Sequence, residues 1–414
     1  MTTTGQERRG GLLGTALTLI HEGRAPTRSA LTTALGVTRA TAGAATAELR
    51  DLGLIAIGTA GATSGGGTQG RPSHRLEVAP DGPVALAAQV YRDGFRTALV
   101  GLGGTIIAAT TVSGPVPGDP ERALEPVASA ATALLRESGR SCAGAALAIP
   151  SAVAEPEGAA VGALYLGWPT GTRVREIFSR LMRAQGFSGD CAVANDANAL
   201  ALAEYRHGAG RDSRVLLLLD AGHQGVGSAL VLGGTAYRGS TGLGMEAGHV
   251  SVDPNGRPCR CGNRGCLDVE ADADRFLSAL GRPPAAGEPA LDQAVRALNA
   301  GYASDARIRA AAAVVIDRLG LGLASLVNVL NPDRVLLGGL HKHLLAAAPG
   351  LLRAQVAERS PWGRGAGVPI LPCALEDGIL LGAAEIAWQP VLDDPAGHLR
   401  ASAADTVRLT RCHC

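Results

Sequence analysis

The residues best placed to do chemistry are crowded into one short stretch. Cys259, Cys261 and Cys266 lie in a glycine-rich segment, Pro258-Cys259-Arg260-Cys261-Gly262-Asn263-Arg264-Gly265-Cys266, and His249 stands just ahead of it in Glu246-Ala247-Gly248-His249. Zinc prefers four tetrahedral nitrogen or sulfur ligands, and structural sites take all four from protein. Three thiolates and one imidazole make up that set. Gly262 and Gly265 let the loop close round an ion, whereas a disulfide would leave one thiol over. The spacing predicts one structural Zn2+ per chain, with binding coupled to local folding. A histidine is more often an ordinary surface or core residue. His249 is set apart by its position: with one ring nitrogen on the metal, the other is free to hold a ligand hydroxyl. Of the other cysteines, Cys142, Cys191 and Cys373 read as buried thiols in apolar surroundings, and Cys412 and Cys414 flank His413 in a polar tail.

Those residues must be positioned by the rest of a 414-residue chain, long enough for two or three domains. The formal net charge of +1 argues against a general polyanion binder and leaves room for one local basic patch. Aromatic residues make up only 3%, so the cores must be built from Ala, Leu and Val. No apolar run approaches a membrane span, and Met1–Gly10 carries no apolar signal core, so a cytoplasmic protein with no membrane partner is expected.

The first part, residues 1–80, reads as a winged helix-turn-helix. Leu12, Leu13, Leu17 and Ile20 recur at helical spacing, and Gly23 ends that helix. Thr27 caps a second helix carrying Leu31 and Leu35, and Gly36 supplies the turn after it. Thr38 caps a third helix with Ala42, Ala45, Leu49 and Leu52 on its inner face. Leu54–Ile57 and Arg75–Val78 pair as a hairpin around a loop rich in Gly, Ser and Thr. In a major groove the third helix would present Arg39, Thr41, Gly43 and Ala44, with Arg28 at the head of the second helix. The thin Gly70-Arg71-Pro72 segment would put the Arg71 guanidinium into a minor groove. The alternative is a small helical domain for oligomerisation or protein binding. From Asp81 to residue 392, β and helical signals alternate, with helices expected over Ala271–Leu280 and Leu344–Glu358 among others, which makes an α/β domain, and residues 393–414 read as a mobile tail.

The order winged helix, α/β domain, Glu246-Ala247-Gly248-His249 and cysteine loop resembles the ROK family (repressors, open reading frames and kinases). So do Asn195-Asp196-Ala197-Asn198-Ala199 and Asn331-Pro332-Asp333-Arg334-Val335-Leu336-Leu337-Gly338-Gly339. The resemblance covers roughly residues 12 to 392. It implies a two-lobed actin-like ATPase fold with a ligand cleft between the lobes, and homodimers or homotetramers. It also implies zinc ligation by His249, Cys259, Cys261 and Cys266. Asp196 matches the general base of family kinases, while Asn195, Glu246 and His249 match residues that hold sugar hydroxyls. Asp268 stands where the family usually has Glu. Asn195-Asp196 is also an ordinary helix N-cap, and both roles can hold together.

Phosphoryl transfer depends on phosphates and magnesium being held in place. The turn that corresponds to the family's first phosphate loop is Gln89-Val90-Tyr91-Arg92-Asp93-Gly94. Gln89 replaces the metal-orienting Asp, and Tyr91 and Arg92 replace glycines, so that their side chains would occupy the phosphate space. In the second turn, Gly222-His223-Gln224-Gly225-Val226-Gly227, Gln224 replaces Thr. The expectation is therefore a sequence-specific DNA-binding regulator, in the repressor sense, and not an enzyme: it senses a sugar or sugar-derived effector in a degenerate kinase cleft, with Asp196 as a vestigial base and a double-stranded DNA operator as partner. Tyr165, where many members carry Asn before Leu166-Gly167-Trp168, and Ser151 in place of a Gly leave the effector open. An active sugar kinase and an orphan regulator whose kinase-like domain only dimerises are the alternatives.

Overall fold

The computed structural model describes residues 5–58, 73–285, 288–361 and 367–399. The N-terminal elements follow the predicted order: α1 (Gly5–His21), α2 (Arg28–Leu35), α3 (Arg39–Asp51), β1 (Ile55–Gly58) and β2 (Arg75–Val78). Both predicted caps form. The Thr27 hydroxyl accepts from the Ala30 N–H at 3.1 Å and the Thr38 hydroxyl from the Thr41 N–H at 3.2 Å, each satisfying a helix-end donor that has no partner within its helix. Gly36 closes α2 at φ 63°, a left-handed conformation that suits glycine. β1 and β2 pair antiparallel from Ile55–Val78 to Gly58–Arg75. The loop between them, with Arg71, lies outside the described residues.

The remainder comprises two five-stranded sheets. The first runs through β3 (Val84–Tyr91), β4 (Gly94–Gly101), β5 (Ile106–Ser113), α4 (Pro120–Ser138), β6 (Cys142–Ile149), β7 (Ala152–Ala154), β8 (Ala159–Val161), α5 (Val174–Ala184) and β9 (Cys191–Asn195). Its strand order is β5-β4-β3-β6-β9, and β7 pairs with β8 in a separate ribbon. Next come α6 (Asp196–His207), β10 (Val215–Gly222), β11 (Gly225–Leu232), β12 (Thr235–Ala236), α7 (Leu267–Glu270), α8 (Ala273–Ala279), α9 (Ala290–Gly301) and α10 (Ala306–Leu330). The chain ends its described part through β13 (Arg334–Gly338), α11 (Gly339–Ala347), α12 (Pro349–Glu358), β14 (Ile370–Pro372) and α13 (Gly378–Asp393). The second sheet has the order β12-β11-β10-β13-β14. In each sheet a hairpin leads into a strand that also pairs in parallel, β3 with β6 and β10 with β13, so the two lobes repeat one topology.

Several details differ from the sequence expectation for local reasons. The single helix expected over residues 344–358 is two, because Pro349 has no N–H and pushes Ala348 out of the helical region, to φ −138° and ψ 56°. The helix expected over 271–280 begins two residues later, at Ala273, because Ala271 ends α7 and Asp272 caps α8 by accepting from the Arg275 N–H at 2.7 Å. α10 is, by length and composition, an exception to the statement that no apolar run approaches a membrane span. Ile308, Ala312, Val315, Leu319, Leu323 and Val327 along it are buried in the core of the second lobe, beside α7, α8, α9 and α12, as in the central helix of a globular domain. The mobile tail expected from residue 393 does not start there. Ala396 and Leu399 pack against core residues, and His398 Nε2 lies 2.9 Å from the Ala143 carbonyl. Cys412, His413 and Cys414 are outside the described residues.

α6 and α13 bind the assembly together. Ala197, Leu200 and Ala201 of α6 face the second sheet, while Ala199 and Ala203 face α13 and the first lobe. The same core cluster takes in Leu13, Leu17 and Ile20 of α1 and Leu31 and Leu49 of α2 and α3, so the three-helix unit shares its hydrophobic core with the first lobe. Burial at about 25 cal/mol per Å2 of apolar surface favours keeping that contact closed.

Candidate functional site

The cysteine loop closes as its composition suggests. The Cys259 N–H donates to the Asn263 carbonyl at 2.8 Å, and the Gly262 N–H to the Cys259 carbonyl at 3.1 Å. Gly265 has φ 60°, and a Cβ there would collide with the Asp253 carbonyl. The ligand atoms of His249, Cys259, Cys261 and Cys266 all lie within 4.8 Å of one another. Cys261 Sγ and Cys266 Sγ are 3.7 Å apart, and His249 Nδ1 is 3.8 Å from Cys259 Sγ. A tetrahedral ion with metal–sulfur bonds of about 2.3 Å needs sulfurs about 3.8 Å apart, so the donor set fits a metal. Burial, then the neighbouring Cys261 and Cys259, push the Cys266 thiol up to about 12, so three thiolates this close need a cation to be held together. His249 turns Nδ1 to the sulfurs, leaving Nε2 on the side of Glu246, whose Oε2 is 4.0 Å away.

His249 and Glu246 both line a cleft of about 750 Å3 between the lobes. Asn195, Asp196, Glu246, His249 and Asp268 all line it, so every residue expected to hold the effector is brought to one cavity. β9 ends at Asn195, whose Oδ1 accepts from the Asn198 N–H at 3.0 Å and whose Nδ2 donates to the Ser151 carbonyl at 3.2 Å. The N-cap thus fixes Asn195, and Asp196 follows it at the head of α6, its Oδ1 accepting from the Ala197 N–H at 2.8 Å. Burial, then the carboxylate of Asp220, raise Asp196 to about 7, with Glu246 adding to the rise. Glu246 is itself raised by burial, against the pull of His249.

Asp268 has less freedom than its expected role assumes. It is buried, its Oδ1 accepts from the Val226 N–H at 2.8 Å, and its Oδ2 is 3.3 Å from the Tyr165 hydroxyl. Tyr165 carries the Arg260 guanidinium over its ring at 5.1 Å, so the segment before Leu166 meets the cysteine loop across the cleft. Gln89, Tyr91 and Gln224 line the cleft as well; Arg92 is exposed and does not, contrary to the expectation that it fills phosphate space. Arg92 sits at the tip of the β3–β4 turn outside the cavity lining, which Arg96 on β4 reaches instead. Both polar atoms of the Gln224 amide are buried without a hydrogen-bond partner among the described residues.

Sequence reasoning missed Asp220 and Lys342. Asp220 is two residues from the end of β10, and burial raises it to about 6 against the pull of Lys342 and His223. The available signals were a carboxylate closing an apolar strand just before Gly222, and the chain's only lysine. In the N-terminal unit, Arg39 and Ala44 are exposed on α3, with Thr41 and Gly43 half-buried beside them. Arg28 is also half-buried, held against β2 where its N–H donates to the His74 carbonyl at 3.0 Å.

Two lobes of repeated topology round a polar cleft, with a three-helix unit on the first, define a sugar-kinase-type domain carrying an N-terminal helical module. The ROK family matches residues 88–387, and the chain belongs to that family. It is 34% identical over 205 residues to the glucokinase of Thermotoga maritima, covering 47% of this chain and 64% of that protein. It is 31% identical over 158 residues to the DNA-binding transcriptional dual regulator NagC of Escherichia coli (strain K12), covering 37% and 39%. The chain thus spans between 39% and 64% of the length of these curated relatives. The crystal structure of a ROK family transcriptional regulator, a homologue of the E. coli MLC protein, superposes with a TM-score of 0.73 at 22% identity, over 96% of this chain and 100% of that one. At that identity the likeness establishes the fold.

Proposed function

We propose that this protein is a sequence-specific DNA-binding transcription regulator acting as a repressor. Residues 1–80 form the DNA-binding domain, and residues 81–392 the effector-binding and oligomerising domain. The observation that carries the reading is the continuous core joining a helix-turn-helix module to a lobe that walls a polar cleft. α3 offers the exposed Arg39 and Ala44 to a major groove, with Thr41 and Gly43 alongside, and Arg28 and Arg71 serve phosphate or minor-groove contacts. In the cleft, Asn195, Asp196, Glu246 and His249 supply the mixed donors and acceptors that a sugar or sugar-derived effector requires. Asp268 acts mainly by shaping the wall, since its oxygens already have partners. One structural Zn2+ held by His249, Cys259, Cys261 and Cys266 stiffens the loop and fixes the His249 ring. A homodimer or homotetramer in the cytoplasm presents two recognition helices to a palindromic operator.

The cleft is read as a sensor because Gln89, Tyr91 and Gln224 occupy the turns where phosphates and magnesium would be held. An active sugar kinase is the second reading. It is favoured by Asp196, whose pKa of about 7 suits a general base. Two experiments test the proposal together. A thermal-shift screen of mono- and disaccharides, their phosphates and ATP supports the sensor if a sugar stabilises and ATP does not; stabilisation by both restores the kinase. Selection of duplexes from a random pool by the full chain must enrich a palindromic sequence, and failure to enrich any removes the regulator.

A further inference from the structure

A second cluster of titratable side chains lies far from the metal loop, where α1 meets the effector domain. Glu385 of α13 is fully buried and is the hub. Its Oε2 accepts from His21 Nε2 at 2.8 Å and from Arg206 Nη1 at 2.5 Å, and its Oε1 from His207 Nε2 at 2.8 Å. Burial would raise this carboxyl, but His21, then Arg206 and His207, hold it well below the usual carboxylate range, so it is an anion. The two imidazoles meet edge to face at 5.0 Å. Arg206 also reaches the Gln389 Oε1 at 2.5 Å. Two imidazoles and a carboxylate have the composition of a metal site, but the hydrogen bonding excludes one. The Gly103 N–H donates to His21 Nδ1 at 2.9 Å, which puts the ring proton on Nε2, leaving that nitrogen no lone pair for an ion.

The three elements that meet here have different far ends. α1 belongs to the DNA-binding module. α6 starts at Asp196 in the cleft and ends at Arg206 and His207 in the cluster, a span of roughly 18 Å for its length. α13 begins beside Leu375, Glu376 and Asp377, which also line the cleft. The two helices cannot slide independently. Gly382 of α13 packs on the Ala199 carbonyl with no room for a Cβ, and buried Glu204 of α6 accepts from the Ala374 and Leu375 N–H groups at 2.7 and 2.8 Å. α1 is pinned to α13 a second time, where Gly14 lies against the Leu392 and Asp393 carbonyls. Just past α6, Arg211 Nη2 donates to the Glu22 carbonyl at 2.6 Å.

We propose that α6 and α13 form a strut carrying the state of the cleft to the DNA-binding helices, and that the His21–Glu385–Arg206–His207 cluster is its joint. This rests on the regulator reading above. His21 is a positioning residue: it touches neither cleft nor DNA, and it makes α1 follow α6. A change at the head of α6 moves a packed rod, and a buried charged cluster has few alternative arrangements, so the motion passes to α1.

Hydrogen–deuterium exchange on the full chain tests the joint without knowledge of the effector. Asp196→Asn removes the repulsion of Asp196 by Asp220 and Glu246 across the cleft. It should change amide exchange in residues 13–25 by about threefold or more. In a His21→Leu background the same substitution should change those amides by less than about 1.5-fold, and His21→Gln, which keeps a donor for Glu385 and an acceptor for Gly103, should restore the coupling. Arg206→Gln supplies a second break on the other side of the joint should His21→Leu fold poorly. An equal response with and without an intact joint, or no response in residues 13–25 to Asp196→Asn, overturns the proposal. Duplex selection by the wild type decides the regulator reading separately, because the exchange result requires no DNA.

Discussion

Replacing Asp196 by asparagine is expected to stabilise the protein above neutral pH and to give only about a third of that gain at pH 5. Burial and then Asp220 raise this carboxyl from 3.8 to about 7. Between about pH 4 and pH 7 the folded protein therefore holds a proton that the unfolded chain has released. Stability falls as pH rises through that window, and the full penalty is present above it. A shift of about three units corresponds to roughly 4 kcal/mol at most. Asp196 lines the cleft and is only partly buried, so solvent screening reduces the figure to about 1–2 kcal/mol. Asparagine is isosteric and keeps an oxygen for the Ala197 N–H, which lies 2.8 Å from Oδ1 in the wild type. Melting curves of wild type and Asp196→Asn at pH 5 and pH 8 make the test, with a gain of about 2–4 °C expected at pH 8 and about a third of it at pH 5. An unchanged or lower melting temperature at pH 8, or an equal gain at pH 5, would refute the assignment of Asp196 as a strained cleft carboxylate.

Protein purified without added metal should contain about one zinc per chain. Cys266→Ser should lose it and melt lower by several degrees, since zinc in small fingers contributes about 10–16 kcal/mol over four ligands; unchanged metal content and melting would place the site elsewhere. Arg39→Ala should weaken binding to the selected duplex by about 1–3 kcal/mol and relax preference at one base pair per half-site, read by anisotropy titration at stated salt. Identical affinity and selectivity would remove Arg39 from the interface. A coupled assay with ATP and common hexoses should show no turnover above background. Turnover of about 1 per second that vanishes in Asp196→Ala would make the protein a kinase.

How much could be read in advance followed the range of the interactions. Caps at Thr27 and Thr38, the left-handed turn at Gly36, the N-cap at Asn195 and the cysteine loop all depend on contacts within a few residues, and each was legible from residue type and spacing. Even the partner of the cysteines, His249, lies only ten residues before Cys259. The break at Pro349 was equally local, and it was passed over because apolar periodicity continues across it.

Tertiary structure decided what depends on distant partners. Residues 378–393 form the helix on which α1 and α6 both pack, yet its apolar face gives no sign that Glu385 within it will be buried. A lone glutamate in a helix is ordinarily solvated, and only the arrival of His21, 364 residues away, with Arg206 and His207, makes burial of that charge affordable. Asp220 became a cleft residue for the same reason: the end of one strand gains meaning only when Asp196 and Lys342 are folded against it. Asp268 and Tyr165 are the converse case, since their pairing across the cleft consumes hydrogen-bonding capacity that residue type left open. Amino-acid type states what a side chain is able to bind, whereas the packing of remote elements settles which of those bonds remain available.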